Sequence, residues 1–426
     1  MRNISETILK FETIGMSGQL PVVWHSASQS TIIAENGSKY IDFTSGIFVT
    51  NTGHANVNIL AGLEELINID QPLLFSYNYH HRYRAQYLEK LISFSKPYFE
   101  KAHLMSSGTE STEAALKLIL LHAAKISSGK RKILTVAGNY HGRTFGSALM
   151  SGDPFYTSLF PELSEIFIKL PFPDPSLVNE ENGKDFFNLS ISKIDLGNPK
   201  KFKQDLAGAM IETFQGWACY FYPVSYIQAF VSYVHDSGGL ICFDEMQSGF
   251  GRTGKKFGFE HYDVYPDLIC IGKGMGSGVP IAGVLASAKI LDLPTPGTLS
   301  STNSANPIAC VAGLKTIEEI EKNKLIERAD FLGKYFHKKL ADIKINRPNI
   351  SAIHGKGMIA AIHFEISENH EENINHVNQL VIEMMNRGLL VVRTGRASIK
   401  LGPPLTISQL ELDTGLEIIS EVTRAI

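Results

Sequence analysis

Short apolar runs bounded by turn residues recur along this chain. Residues 240–243 (Leu-Ile-Cys-Phe) end at Asp244, and residues 268–271 (Leu-Ile-Cys-Ile) end at Gly272-Lys273. Each run closes on one charged side chain followed by glycines. Such runs predict fully buried strands of the kind found in parallel sheets. Residues 133–136 and 206–211 read the same way. Residues 103–105 predict a strand that passes through a Ser-Ser-Gly turn into a strongly helical segment from Thr109. Residues 57–103 otherwise read as helices, and residues 31–43 as a hairpin closed by Asn36-Gly37 in a type I′ turn. The stretch 151–205 holds Pro154, Pro161, Pro171, Pro173 and Pro175 and reads as a surface excursion. From Pro307 a long helix is expected, then strands at 355–364 and 388–392. The alternation predicts an α/β fold. In such open sheets ligands sit beyond the carboxyl ends of the strands, so Asp244 and Lys273 would point into one crevice.

Composition narrows the class. The 426 residues are 44% hydrophobic and 19% charged, with a net charge of −3. That balance fits a soluble globular protein of more than one domain. No long basic run advertises nucleic acid or an anionic membrane, and no apolar run is long enough to span a bilayer. Cys219, Cys242, Cys270 and Cys310 lack metal-type spacing, and Cys242 and Cys270 fall inside predicted buried strands. No metal is expected. The N-terminus carries Arg2, Glu6, Lys10 and Glu12 without an apolar core, so no signal peptide is read. A reduced, cytoplasmic location is expected.

An acid and a lysine at adjacent strand ends suit pyridoxal 5'-phosphate. The lysine bonds covalently to the cofactor aldehyde, and the carboxylate keeps the pyridine nitrogen protonated so the ring accepts electrons. A partly desolvated lysine is also a better nucleophile. Taken singly, Asp244 reads better as an N-cap and Lys273 as a solvated side chain; together with the glycines and Gln247 they favour the cofactor. Gly108 and Thr109 open a helix whose N–H groups and dipole can receive an anion. On the residues alone, that site and a plain helix cap are equally good readings.

The string Phe243-Asp244-Glu245-Met246-Gln247-Ser248-Gly249-Phe250-Gly251-Arg252-Thr253-Gly254 resembles the signature of the class III (ω-amino acid) aminotransferases. Its motifs are most similar to those of the 4-aminobutyrate and ornithine group. The resemblance implies the aspartate-aminotransferase-like fold (PLP fold type I). It has a large domain around a mainly parallel sheet, here 51–306, and a smaller α/β domain from segments 1–50 and 307–426. It implies Lys273 as the residue that carries the cofactor and moves the proton, Asp244 on the ring nitrogen, and Gln247 at the ring hydroxyl. Gly108 and Thr109 would grip the phosphate, Tyr140 and Met246 would flank the ring, and Glu212 would help orient it. Thr302 would reach the neighbouring subunit's phosphate, which makes an obligate homodimer. Ile47 and Phe48 would line the substrate entrance. Arg143 aligns with an arginine that reads a substrate carboxylate in 4-aminobutyrate aminotransferases, without fixing the substrate here.

Two positions depart from the pattern. Trp217 stands where many members have a gating glutamate, and Lys400 where they have its arginine partner. A lysine cannot make the planar two-point grip on a carboxylate. The expected reaction is ping-pong amino transfer from an amine or ω-amino donor to a 2-oxo acid. The donor could be a terminal amine, an aminosugar or a diamine. An epimerase or aminomutase of the same fold is the alternative.

Overall fold

The computed structural model describes residues 4–13, 20–152, 154–194 and 199–425. Its centre is a seven-stranded sheet. In chain order the strands are β1 (Lys101–Met105), β2 (Lys132–Val136), β3 (Phe167–Leu170), β4 (Leu206–Glu212), β5 (Leu240–Asp244), β6 (Leu268–Ile271) and β7 (Ala282–Ala286). Across the sheet they lie in the order β1-β7-β6-β5-β4-β2-β3. β5 runs parallel to β4 and β6, and β2 parallel to β4 and β3. Only β7 is antiparallel, to both β6 and β1. Every residue of β4, β5, β6 and β7 is buried. Both sheet faces are covered, which is why these strands read as unbroken apolar runs and do not alternate.

Helix α1 (Gly108–Ile126) covers part of one face. Ser107 caps it and Glu110 reaches back to the cap, a reciprocal box that fixes where the helix begins. Its Ala114, Ala115, Leu118 and Ile119 are buried against Ile133, Met210, Cys242 and Cys270. Helix α2 (Val224–Asp236) buries Tyr226, Ile227, Phe230 and Val234 in the other core.

The chain ends are brought together. Strands Trp24–Ser28, Thr31–Ala34 and Lys39–Asp42 form a sheet completed by Leu389–Leu390, which pairs parallel to Lys39–Asp42. A second small sheet holds Ile350–Lys356, Ile359–Phe364, Ser398–Leu401 and Val392–Arg393. Arg252, fully buried in the loop after β5, ties both ends to the centre. Its Nη2 donates to Ser45 Oγ (3.2 Å) and Asn51 Oδ1 (2.7 Å), and its Nη1 to the carbonyls of Met358 (3.0 Å) and Pro403. Burial pulls the guanidinium down to about 9, opposed by the Asp42 charge. Among the described residues no helix is long and apolar enough to cross a membrane.

Several expectations need correction. The stretch 57–103 contains helices Val57–Asn68 and Arg82–Ser95, but residues 69–80 between them are not helical. The proline-rich excursion contributes β3 as the sheet's edge strand. Residues 355–364 form the turn and second arm of a hairpin, and residues 388–392 divide between the two small sheets. At the N-terminal hairpin only Gly37 has positive φ (81°), and its N–H donates to Ala34 O. A left-handed glycine, not a type I′ pair, closes that turn.

Candidate active site

The carboxyl ends of four neighbouring strands converge on one crevice. The ladder sets Asp244 level with Glu212 on β4 and with Cys270 on β6, three residues before Lys273. Asp244 is buried. Its Oδ1 accepts the Met246 N–H (3.0 Å), and its Oδ2 pairs with His141 Nδ1 (2.9 Å). His141 comes from the loop after β2, where its own N–H donates to Ser151 Oγ (2.8 Å). Its Nε2 is buried without a partner among the described residues.

Lys273 follows β6 and Gly272. Its backbone sits at φ 34°, in the left-handed region that side chains disfavour. Burial lowers the pKa of its amine, while the Asp244 and Glu212 carboxylates pull it back up. The lysine thus stands within the field of both acids.

Glu212 accepts the N–H groups of Tyr140 (3.0 Å) and Gly216 (3.1 Å) and the Gln247 amide (3.2 Å). Burial raises it from 4.5 to about 7; His141 opposes that rise, Asp244 adds to it, and the two backbone N–H groups lower it. The folded chain therefore holds a proton here that the unfolded chain loses near pH 4.5. This stabilisation is complete below pH 4.5 and is lost as pH rises through about 7. In the apoprotein it amounts to about 3 kcal/mol. Urea unfolding at acidic and alkaline pH should show Glu212→Gln losing that slope, and parallel pH dependence in the two proteins would refute the assignment.

Gly108 and Thr109 form the first turn of α1. A Cβ at Gly108 would stand 2.9 Å from Met246 Sδ, and one at Gly142 (φ 132°) 2.3 Å from Thr109 Oγ1. Thr109 Oγ1 lies 2.7 Å from Thr144 Oγ1. Tyr140 is exposed and its hydroxyl accepts from Arg143 Nε (3.3 Å). Met246 is buried. Thr302 is exposed in a loop whose Ser301 donates to Oε1 (2.9 Å) of Glu110, the residue that reaches back to the Ser107 cap of α1.

Ile47 and Phe48 share a run of positive φ from Ser45 to Phe48. Ile47 is exposed; Phe48 is buried, with its ring 4.5 Å from Lys400 Nζ. Lys400 is itself buried, and its ammonium donates to Gly216 O and Gln247 Oε1. Trp217 is half-buried, edge-on to His363 at 5.9 Å, and the Arg396 guanidinium lies 4.2 Å above its ring.

The residues present fit pyridoxal phosphate. A buried acid ends one strand, a desolvated amine follows the next, and a helix N-terminus opens beside glycines whose added Cβ atoms would crowd it. Two participants lacked a role in the sequence reading. His141 lies beside Tyr140 in the string Tyr-His-Gly-Arg, and its pairing with Asp244 spans 103 residues. Arg396 lies close in sequence to Lys400, and only the ring contact singles it out.

Solved structures share this fold. An ornithine aminotransferase from Toxoplasma gondii superposes with a TM-score of 0.85 at 22% identity, covering 99% of this chain and 94% of that one. A transaminase from the marine bacterium Virgibacillus gives 0.88 at 23% identity, covering 100% and 99%. Among curated relatives, the 5-aminovalerate aminotransferase DavT of Pseudomonas aeruginosa is 30% identical over 99% of both chains. An acetylornithine aminotransferase of Caldanaerobacter subterraneus is 28% identical, covering 98% and 96%. The family model described as aminotransferase class-III matches residues 15–423. With a matching model over nearly its whole length, this chain belongs to the class III aminotransferases. It is a pyridoxal-phosphate-dependent enzyme that transfers an amino group from an amine donor to a 2-oxo acid.

Proposed function

We propose that the donor is an amine or ω-amino compound, such as a terminal amine, a diamine or an aminosugar. The Lys400 ammonium carries this reading. It is committed inside the protein to Gly216 O and Gln247 Oε1, so it is not held ready for a carboxylate next to the reacting carbon. The indole of Trp217 adds an apolar wall. The names of the relatives, 5-aminovalerate and acetylornithine aminotransferases, are compatible with such donors.

When bound, pyridoxal phosphate supplies an electron sink for the donor carbon. In this reading Lys273 Nζ would hold the cofactor covalently, and the same amine would carry the proton that leaves the donor carbon. Asp244 would keep the ring nitrogen protonated, and His141 fixes the orientation of that carboxylate. Glu212 orders the loops of Tyr140 and Gly216 around the ring, and Gln247 links Glu212 to Lys400. Gly108 and Thr109 would bind the phosphate. Tyr140 and Met246 flank the ring, Ile47 and Arg143 border the entrance, and Phe48 backs Lys400.

The active unit is a homodimer in which Thr302 reaches the neighbouring phosphate. The exposed side chains of Leu73, Leu74, Phe75, Tyr77 and Tyr79 support a face that a second copy covers. The working location is the cytoplasm, and the chain divides at residues 50 and 306.

A panel of ω-amino acids, diamines, aminosugars and α-amino acids, with pyruvate and 2-oxoglutarate as acceptors, tests the donor class. Terminal amines should exceed α-amino acids in kcat/KM by about 10-fold or more. The Trp217→Glu/Lys400→Arg double variant should shift preference toward α-amino acids. Indistinguishable donor profiles for the two proteins would remove this reading.

A further inference from the structure

Lys400 lies on Ser398–Leu401, level with Ala361 of one neighbouring strand and Val392 of the other. Its buried ammonium donates to Gly216 O and Gln247 Oε1 and faces the Phe48 ring at 4.5 Å. Among the described residues no carboxylate forms an ion pair with it. The charged groups around it are Glu212, Lys273 and Arg252, with the Cys219 thiol beside them. A buried cation without a counter-ion is costly unless its N–H groups are met. Here two oxygens and a ring face meet them.

Gln247 stands between that cation and Glu212. Its Oε1 takes the ammonium, and its Nε2 donates to Glu212 Oε1 (3.2 Å). Reversing the amide would set Nε2 against the ammonium and Oε1 against a carboxylate oxygen, two repulsions in place of two bonds. Glu212 alone does not secure this orientation. Burial raises it to about 7, and a protonated carboxyl can donate to Oε1 as readily as it accepts from Nε2. A lysine ammonium has donors only, so it admits one orientation of the amide. Gly216 makes the arrangement possible, because a Cβ there would overlap both Gln247 Nε2 and Glu212 Oε1. An amide nitrogen carries two N–H groups. One goes to Glu212, and the other remains on a side chain that is only partly buried.

We propose that Lys400 is a positioning residue that locks the Gln247 amide, so that its remaining N–H is presented to the ring hydroxyl of pyridoxal phosphate. The proposal rests on the reading that puts Gln247 at that hydroxyl, and it adds what fixes the direction of the amide. The lysine acts through Gln247 and touches neither cofactor nor substrate.

The test reloads apoprotein with pyridoxal phosphate and measures two quantities, the cofactor dissociation constant and the pH midpoint of the visible absorbance change. A donor on the ring oxygen, backed by an ammonium, opposes protonation of the Lys273-bound cofactor. Lys400→Met and Gln247→Ala should therefore each raise the midpoint by about 1 unit, about 10-fold in proton affinity. Each should also weaken cofactor binding by about 3- to 10-fold. The double variant should shift by less than the sum of the two, because both remove one contact. Lys400→Arg, which keeps N–H donors, should leave the midpoint within about 0.3 unit of wild type. A shift in Gln247→Ala without one in Lys400→Met would overturn the lock and leave the Gln247 contact standing. No shift in Gln247→Ala would remove that contact and the proposal with it. Additive shifts, a displaced midpoint in Lys400→Arg, or a lower melting temperature of Lys400→Met with its midpoint unmoved would each overturn the proposal. Where Lys400→Met does not fold, Lys400→Arg and Gln247→Ala still decide.

Discussion

Replacing Lys273 by alanine is expected to lower amino-transfer turnover by about 10,000-fold or more, the combined scale of losing a nucleophile and a positioned proton carrier. The fold should survive. The substitution removes an amine that burial already disfavours in its charged form, so the melting temperature should stay level or rise. Two further readouts separate chemistry from structure. Borohydride reduction of wild type followed by peptide mapping should place the cofactor on Lys273, and the alanine variant should take up no such label. Small external amines should restore part of the turnover by supplying a mobile base. Undiminished turnover in Lys273→Ala would end the assignment outright.

Asp244→Asn should produce the second-largest loss, about 100- to 1,000-fold in kcat, as for removing one preorganised electrostatic partner. The substitution is close to isosteric. Its amide oxygen can still accept the Met246 N–H, so the strand end and the loop behind it keep their shape. What disappears is the negative charge opposite His141 Nδ1 and beside Lys273. His141→Asn, which leaves the carboxylate but loosens its orientation, should cost about 10-fold, well short of the loss from Asp244→Asn. Single-turnover kinetics with a saturating donor measure both. A kcat within about 2-fold of wild type for Asp244→Asn would remove the carboxylate from the reaction.

The strands bearing these residues were legible in the sequence because burial on both sides leaves a strong local mark. Residues 240–243 and 268–271 can be little else than buried strands, and the side chains that end them stand out by contrast. The signature string after Asp244 then supplied the family. Contacts between distant segments left no such mark. The His141–Asp244 pair joins loops from different strands, and nothing in the pattern around His141 distinguishes a buried partner from a loop residue. The edge strand β3 was hidden because its short run, Phe167–Leu170, sits among prolines that read as excursion. Phe48 looked like an entrance residue by alignment, yet the run of positive φ from Ser45 turns its ring inward beneath Lys400. The departures at 217 and 400 were visible as letters. Their physical meaning, a lysine spent internally and an indole roofed by Arg396, depends on a turn carried by the last part of the chain.

Arg252 also constrains biosynthesis. A nascent polypeptide emerging as far as Thr302 already contains Asp244, the signature string and Lys273. It lacks Met358 and Pro403, which accept from the Arg252 guanidinium, and Leu389–Leu390, which complete the N-terminal sheet. At that stage a fixed cation has two of its acceptors missing, and strand Lys39–Asp42 has a bare edge. The Arg252 contacts and the closure of the N-terminal sheet therefore wait until Pro403 has left the ribosome. A chain stalled at Thr302 displays the signature string and Lys273 yet lacks Lys400 and the two carbonyls that hold the Arg252 guanidinium.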